Sequence, residues 1–177
     1  MNEEPKSIRP TPRATRGLDG LDRKILGALL ENGRETFARI GAAVGLSAPA
    51  VHDRVRRLTE SGVLRGTTAR VDGAKAGKPF LAFVHVETDG WGKGERMMSL
   101  REFPEIEEFH SVAGDTCVII KARAANAEAL EALLMQIYAL PGVRATKTYV
   151  VLSTYLERGV QAEVTGEWPR VEPPLRA

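Results

Sequence analysis

Residues 36–58 read TFARIGAAVGLSAPAVHDRVRRL, and this stretch decides the interpretation of the chain. Phe37, Ile40 and Val44 recur at spacings of three and four residues, which places them on one face of a short helix. Gly45 follows immediately, and helices often end at glycine because it adopts a left-handed backbone without steric cost. The first half of the stretch therefore predicts a short amphipathic helix that ends in a tight turn.

The second half predicts an arginine-rich helix over residues 47–61. Ser47 is a favourable N-cap, because its hydroxyl can accept a hydrogen bond from an unpaired backbone N–H. Val51, Val55 and Leu58 continue as a buried stripe. The opposite face presents Ala50, Asp53, Arg54 and Arg57, with Arg56 at its edge. This layout is typical of a helix-turn-helix, whose second helix enters the DNA major groove. An ordinary helical hairpin with a solvated arginine face is the alternative.

A further helix is predicted before this pair. It has an apolar stripe at Leu21, Ile25 and Leu29. Asp19 or Asp22 can cap its N-terminus. After the arginine-rich helix, residues 63–71 are short of helix formers and rich in β-branched side chains, so we expect a strand or small hairpin there. Three helices followed by such a wing predict a winged helix-turn-helix DNA-binding domain over residues 18–71.

The composition fits a globular protein with one large or two small domains. The chain has 177 residues and no apolar run long enough to cross a bilayer. Its N-terminus is acidic and proline-bearing, unlike a signal peptide, and its single cysteine excludes an internal disulfide framework. We therefore expect a cytoplasmic protein that has no membrane partner.

Charge is distributed unevenly along the chain. Residues 1–72 hold 13 Lys and Arg against 9 Asp and Glu, whereas residues 73–177 hold 12 against 14. The basic half contains the arginine-rich helix, as neutralisation of DNA phosphates requires. The contrast supports DNA binding but is too small to establish it alone.

The rest of the chain predicts a second domain, which makes the fold class α+β. Its elements are strands over residues 79–87, 106–113, 116–122 and 143–156 and helices over residues 95–103 and 126–140. Gly114 and Asp115 give a hairpin signal between the second and third strands. The order β-α-β-β-α-β is that of a ferredoxin-like domain, with two helices on one face of a four-stranded antiparallel sheet. Because the strands are dense in Val and Ile, we expect a second subunit to cover the other face.

Three further segments complete the predicted organisation. Residues 1–17 predict a disordered basic leader, with an arm that touches DNA phosphates as the alternative. Residues 72–78 predict a glycine-containing hinge, which leads into the ferredoxin-like domain at residues 79–158. Residues 159–177, which contain three prolines, predict a flexible tail.

These features together resemble the Lrp/AsnC, or feast/famine, family of transcriptional regulators. The resemblance covers about residues 18–158, and its motifs occur in the order and at the spacing of the family. The matching stretches are residues 21–26 (LDRKIL), 44–47 (VGLS), 54–58 (RVRRL), 62–64 (GVL), 82–84 (AFV), 114–115 (GD) and 140–143 (LPGV), with Thr148, Val151 and Leu152.

The resemblance implies a sequence-specific regulator that binds double-stranded DNA as a homodimer. Dimers of the family assemble further through the second domain, often into an octamer. A small molecule, commonly an amino acid, binds at the junction between dimers and changes assembly or DNA affinity. By motif position, the DNA-binding residues would be Ser47, Ala48, Pro49, Ala50, Asp53, Arg54 and Arg57. Arg57 can contact either a guanine edge or a phosphate, and both possibilities stay open.

The effector-binding residues implied by the resemblance would be Gly114, Asp115, Thr116, Cys117, Thr146 and Thr148. Many members carry an aspartate where Cys117 stands, and that aspartate can receive the ammonium group of an amino acid. Cys117 cannot do so, and Asp115 is the candidate substitute. A different effector, or none, is the alternative.

Two other classes of protein remain open. Sirohaem decarboxylases are similar in architecture, but such an enzyme needs histidines and basic groups converging on a tetrapyrrole, and this chain has three histidines. An architectural DNA-binding protein without an effector is the other alternative. The sequence contains no Ser-His-Asp set, phosphate-binding glycine loop or His-Glu-x-x-His motif, so we expect no catalytic residue, no metal site and no cofactor.

Overall fold

The computed structural model describes residues 17–89 and 94–162 of the chain. Most of the predicted leader, residues 1–16, and most of the predicted tail, residues 163–177, lie outside the described part. Within that part, no helix is both long enough and apolar enough to span a membrane.

The chain divides into two compact units. The first comprises residues 17–69 together with residues 158–162, and the second comprises residues 70–157. The first unit contains the predicted helix-turn-helix, and the second contains the predicted ferredoxin-like elements.

The helices of the first unit are α1 (Gly20–Glu31), α2 (Phe37–Val44) and α3 (Ala48–Glu60). Each begins at a side chain that accepts a hydrogen bond from the backbone N–H three residues later. The three N-cap residues are Asp19, Thr36 and Ser47. Asp19 and Asp22 also form a reciprocal capping box at the start of α1. These caps confirm the predicted helix starts at Ser47 and Asp19.

The helices pack around a small core and a tight turn. The buried cluster at the centre contains one residue from each helix: Ile25, Ile40 and Val51. Gly45 ends α2 in the left-handed region, with φ of 74°, as predicted. Gly41 lies against the same turn, because a Cβ atom there would come within 2.5 Å of the Leu46 carbonyl oxygen. Any side chain at Gly41 would therefore force the turn between α2 and α3 to move.

The predicted wing is wrong in one respect, because residues 63–71 form no strand. β-branched residues favour an extended backbone, but a strand also needs a neighbouring strand to complete its hydrogen bonds. In this segment the Leu64 N–H instead donates to the Leu58 carbonyl oxygen at 2.9 Å. Thr67 packs against Gly33: a Cβ atom on Gly33 would lie 2.5 Å from the methyl group of Thr67.

The second unit has the predicted β-α-β-β-α-β order. Its elements are β1 (Phe80–Thr88), α4 (Glu95–Met98), β2 (Ile106–Ser111), β3 (Val118–Ala124), α5 (Ala127–Tyr138) and β4 (Val143–Val150). The strands form one antiparallel sheet in the order β2-β3-β1-β4. Several boundaries differ from the prediction, and two of the differences are large. The first helix changes to a 3-10 helix at Ser99–Glu102, and the last strand ends at Val150 although apolar residues continue to Leu156.

The two faces of the sheet carry different side chains. The face that packs on the helices has a buried core that includes Val84, Val86, Val118 and Ile120. The open face carries Phe83, His85, Ile119 and Tyr149 together with charged residues of β3. Most of the Val and Ile that suggested an apolar outer face are thus used in the core. The open face is instead part aromatic and part charged.

Residues 72–78, predicted as a hinge, fold into a compact turn. The Ala76 N–H donates to the Asp72 carbonyl oxygen at 2.9 Å, and the Lys78 N–H donates to the Gly73 carbonyl oxygen at 2.7 Å. The Asp72 carboxylate also accepts the Lys75 N–H at 3.1 Å. The segment therefore has local structure of its own.

Candidate nucleic-acid interface and effector site

The outward face of α3 presents the residues predicted to meet DNA. Ser47, Pro49, Asp53 and Arg57 are exposed, and Ala48 and Ala50 are half-buried. The Ser47 hydroxyl accepts the Ala50 N–H at 3.4 Å, which fixes the start of the helix. Small residues in this first turn leave the helix N-terminus open to a close approach, and its dipole favours an anion there.

Arg54 is oriented differently from the other predicted DNA-binding residues. Its guanidinium donates to carboxylate oxygens of Asp19 and Asp22, at 2.7 Å each, and its side chain is only 20% exposed. The Arg54 guanidinium holds the pKa of Asp19 below its usual value. The structure therefore ties α3 to the N-terminus of α1 through Arg54.

The spacing of residues in α3 contained a signal for this orientation. Arg54 lies three residues after Val51 and four before Leu58, and both of these are buried. Residues three and four apart lie on the same helix face, so Arg54 belongs beside the core stripe. Sequence reasoning missed this role because the partners of Arg54 are 32 and 35 residues away.

The other two arginines of α3 differ in their partners. Arg56 lies 3.6 Å from the Asp53 carboxylate and 3.9 Å from that of Glu60. Arg57 is exposed and forms no ion pair with any residue in the ranges 17–89 and 94–162. Among the arginines of α3, Arg57 is thus the one whose charge is left for an external partner.

His52 contacts the neighbouring helix as well as solvent. Its ring lies edge-on to the ring of Phe37 in α2, with 5.6 Å between the ring centroids. Its side chain is still more than half exposed. His52 therefore helps to fix α3 against α2, and we do not count it with the outward residues.

The predicted effector residues come together near the end of β1. The Val86 carbonyl oxygen accepts the Thr116 hydroxyl at 2.9 Å and the Cys117 N–H at 3.2 Å. Val86 also pairs in register with Thr146 of β4. Gly114 and Asp115 are exposed in the loop that precedes Thr116, and Thr148 is half-buried two residues further along β4. The sheet thus places both halves of the predicted site side by side.

Thr116 and Cys117 are occupied by contacts within the protein. Thr116 is buried, and its hydroxyl lies near two carbonyl oxygens, those of Val86 and Val118. The Cys117 sulfur lies 3.9 Å from the Thr88 carbonyl oxygen, and hydrogen bonding to Thr88 lowers the pKa of the thiol. These two side chains shape the loop, whereas Asp115 offers an exposed carboxylate.

A cavity of about 320 Å³ opens beside Thr146, on the side of the sheet that carries α5. It is lined by Glu131, Leu134, Met135, Tyr138, Ala139 and Thr146. Met135 and Tyr138 are large, exposed side chains on the outer surface of α5. The sequence analysis did not identify this cavity, because helical spacing alone does not show which apolar side chains of α5 stay exposed.

Among residues 17–89 and 94–162, no cluster of three or more His, Cys, Asp or Glu side chains could hold a metal ion. The carboxylates of the first unit instead pair with arginine, as Asp19 and Asp22 do with Arg54.

Comparisons with known proteins agree with this two-part arrangement. Residues 18–59 match the family model of the AsnC-type helix-turn-helix domain, and residues 81–161 match that of the Lrp/AsnC ligand binding domain. The chain is 36% identical over 140 residues to the HTH-type transcriptional regulator FL11 of Pyrococcus horikoshii, with 79% of this chain and 93% of that protein covered.

Two further relatives extend the comparison. The leucine-responsive regulatory protein of Escherichia coli is 33% identical over 144 residues, with 79% of this chain and 88% of that protein covered. The structure of the feast or famine regulatory protein from Mycobacterium tuberculosis, complexed with L-methionine, superimposes with a TM-score of 0.73 at 34% identity. That alignment covers 80% of this chain and 96% of the solved one.

Proposed function

Because this chain belongs to the Lrp/AsnC family of transcriptional regulators, we propose that it controls transcription by placing α3 in the DNA major groove. One observation supports this proposal: Arg57, on a helix capped by Ser47, is exposed and forms no ion pair with the residues that the structure describes. A helix of this kind reads base edges with its N-terminal half and contacts phosphates with its flanks.

Within the interface we assign two different roles. The residues that face DNA are Ser47, Ala48, Pro49, Ala50, Asp53 and Arg57. Arg57 contacts a guanine edge or a phosphate, and an arginine–guanine pair contributes about 1–3 kcal/mol of discrimination. Arg54 acts as a positioning residue, because its hydrogen bonds to Asp19 and Asp22 hold α3 at a fixed angle to α1.

The regulator acts as a homodimer, and we expect its dimers to assemble further, up to an octamer. Phe83 and Tyr149 support this proposal, since they are exposed neighbours on the open face of the sheet. A Phe83→Glu variant should be monomeric in light scattering at concentrations where the wild type is dimeric. A Tyr138→Glu variant on the outer surface of α5 is the control and should stay dimeric.

The second unit binds a small-molecule effector at the loop of Gly114 and Asp115, next to Thr146. An amino acid is the ligand class favoured by the methionine complex of the M. tuberculosis relative. Cys117 cannot bind an ammonium group, so Asp115 takes that role. Titration calorimetry with the twenty amino acids tests this, with Asp115→Asn as the variant that should lose binding. No heat with any amino acid would favour an architectural protein without an effector.

The relatives described above are transcriptional regulators, and we propose that this chain likewise has no enzymatic activity. The direct test of the proposed function is a gel shift with a duplex that carries the promoter next to its own gene. A dimer that neutralises about 6–10 phosphates should lose about 10³- to 10⁵-fold in affinity between about 50 and 200 mM salt. Affinity that does not change with salt would contradict the proposal.

A further inference from the structure

The open face of the second unit contains two cations that are almost buried. Lys121 and Arg123 lie on β3, and their side chains are only 13% and 14% exposed. Glu107 of β2 pairs with both, at 3.2 Å from Lys121 and 2.6 Å from Arg123. Glu108 adds a second carboxylate at 3.6 Å from Lys121. Because Lys121 and Arg123 are both paired with carboxylates of the same sheet, we infer that they stabilise the structure.

The remaining partner of both cations comes from a distant part of the chain. The Glu157 carboxylate pairs with Lys121, and one of its oxygens lies 3.3 Å from a guanidinium nitrogen of Arg123. Lys121 and Arg123 together lower the pKa of Glu157, with Lys121 making the larger contribution. Glu157 stands beyond the end of β4, in residues 151–157, which we name the strap.

The strap has little else to hold it against the sheet. Leu152 and Tyr155 are 95% and 96% exposed, and Leu156 is also exposed. The Val151 N–H donates to the Leu81 carbonyl oxygen at 2.8 Å, in continuation of β4. Beyond that point, the hydrogen bonds between the strap and the other described residues are those of Glu157.

The same cluster also holds the segment that leads from the first unit, residues 70–78, which we name the connector. The Arg70 guanidinium donates to the Glu157 carbonyl oxygen. Gly73 lies directly against Arg123, because a Cβ atom at Gly73 would come within 2.4 Å of the Arg123 Cδ atom. The connector and the strap thus meet at Arg123 and Glu157.

A cavity of about 600 Å³ lies between these two segments. Its walls include Asp72 and Pro79 of the connector side, Leu81 and Arg123 of the sheet, and Leu152 of the strap. The segments are therefore not packed tightly on each other through apolar contacts. Their mutual position depends on the charged cluster at one edge of the cavity.

We propose that Glu157 is a clamp between the strap and the connector. Its carboxylate fastens the strap to the sheet through Lys121 and Arg123, and its backbone carbonyl oxygen holds the connector through Arg70. Loss of the two ion pairs frees residue 157 from the sheet, and the carbonyl oxygen that holds Arg70 moves with it, so that both segments are released together. The connector joins the DNA-binding unit to the second unit, so its stiffness sets how freely two DNA-binding units of a dimer move. This consequence rests on the proposed function, whereas the clamp itself does not.

Hydrogen–deuterium exchange on the full chain tests the clamp without DNA. The Glu157→Gln variant keeps the shape of the side chain and removes its charge. We expect the amides of Lys78 and Val151, which are hydrogen-bonded at the two segments, to exchange about tenfold faster, equivalent to about 1.4 kcal/mol. Amides in the centre of β1 and β3 should be unchanged. Unaltered exchange at both Lys78 and Val151 would overturn the clamp.

A matched control and a second measurement complete the test. Glu102→Gln removes an exposed glutamate in the same unit and should leave exchange at both segments unchanged. If Glu102→Gln accelerates exchange equally, the effect is one of net charge and the clamp is wrong. The affinity of Glu157→Gln for the promoter duplex should fall several-fold, since a looser connector lowers the effective concentration of the second helix at its half-site. Faster exchange with unchanged affinity would retain the clamp and overturn its effect on DNA binding.

Discussion

The two units of this chain differ in how far their basic residues are paired with carboxylates of the same chain. In the first unit, α3 carries one arginine paired inward and one with no ion partner among the described residues, Arg54 and Arg57. In the second unit, Lys121 and Arg123 are both neutralised by glutamates of the same chain. The number of basic residues in a region therefore says little about its binding partner. Whether each cation already has an internal partner is the informative property.

The largest expected effect is on DNA binding by Arg57→Ala. Loss of this exposed cation should weaken affinity for the promoter duplex about 10- to 100-fold, as expected for about 1–3 kcal/mol. The free energy of unfolding should change by less than about 0.5 kcal/mol, since the Arg57 side chain forms no ion pair with residues 17–89 or 94–162. Fluorescence anisotropy and urea unfolding measure the two effects. Arg144→Ala, an exposed arginine of the second unit, is the control that should bind DNA normally.

Arg54→Ala should give a different pattern from Arg57→Ala. Its removal leaves the carboxylates of Asp19 and Asp22 without their arginine partner, and hydrogen bonds between charged groups are stronger than those between neutral groups. We expect a clear loss of stability in urea unfolding, accompanied by weaker DNA binding because α3 is no longer held. If Arg54→Ala weakens DNA binding with no loss of stability, Arg54 contacts DNA directly and the distinction between the two arginines fails.

The pH dependence of the stability of the first unit also tests the ion pair between Arg54 and Asp19. Folding lowers the pKa of Asp19, so Asp19 stabilises the fold fully above its unfolded-state pKa of about 3.9. That contribution is lost as the pH falls through the lower, folded-state pKa. In urea unfolding, the stability difference between wild type and Asp19→Asn should therefore shrink as the pH falls below about 4. A difference that is constant with pH would show that the Asp19 charge is not responsible.

The smallest expected effect separates the two roles left open for Arg57. If Arg57 contacts a phosphate, Arg57→Ala should reduce the slope of log affinity against log salt by about 1 per lost contact. If Arg57 reads a guanine edge, the slope should hold and discrimination between operator variants should fall. Anisotropy titrations at several salt concentrations, with one operator guanine replaced, decide between them.

Features set by neighbouring residues could be predicted from the sequence. The N-cap at Ser47 and the left-handed Gly45 depend on residues within a few positions, and both are found where the sequence places them. The order of strands and helices in the second unit also followed from local periodicity. The residues that determine a cap, a turn or a periodic pattern all lie within one helical turn or one strand of each other.

Features set by distant residues could not be predicted in the same way. Arg54 is paired with Asp19, 35 residues earlier, and Lys121 with Glu157, 36 residues later. The apolar run after Val150 is not a strand, because an extended segment becomes a strand only when another strand is beside it. In the effector region, the pairing of Val86 with Thr146 brought both halves of the predicted site together. The contacts that occupy Thr116 had no signal in the sequence.

Methylation protection of guanine N7 tests the central claim most directly, because that atom lies in the major groove. With wild-type protein bound to its promoter, we predict protected guanines in patches separated by about one helical turn, or a multiple of it, as two copies of α3 would produce. Arg144→Ala should leave this pattern intact, and Arg57→Ala should weaken it. Bound DNA whose guanine N7 atoms all stay reactive would contradict the account.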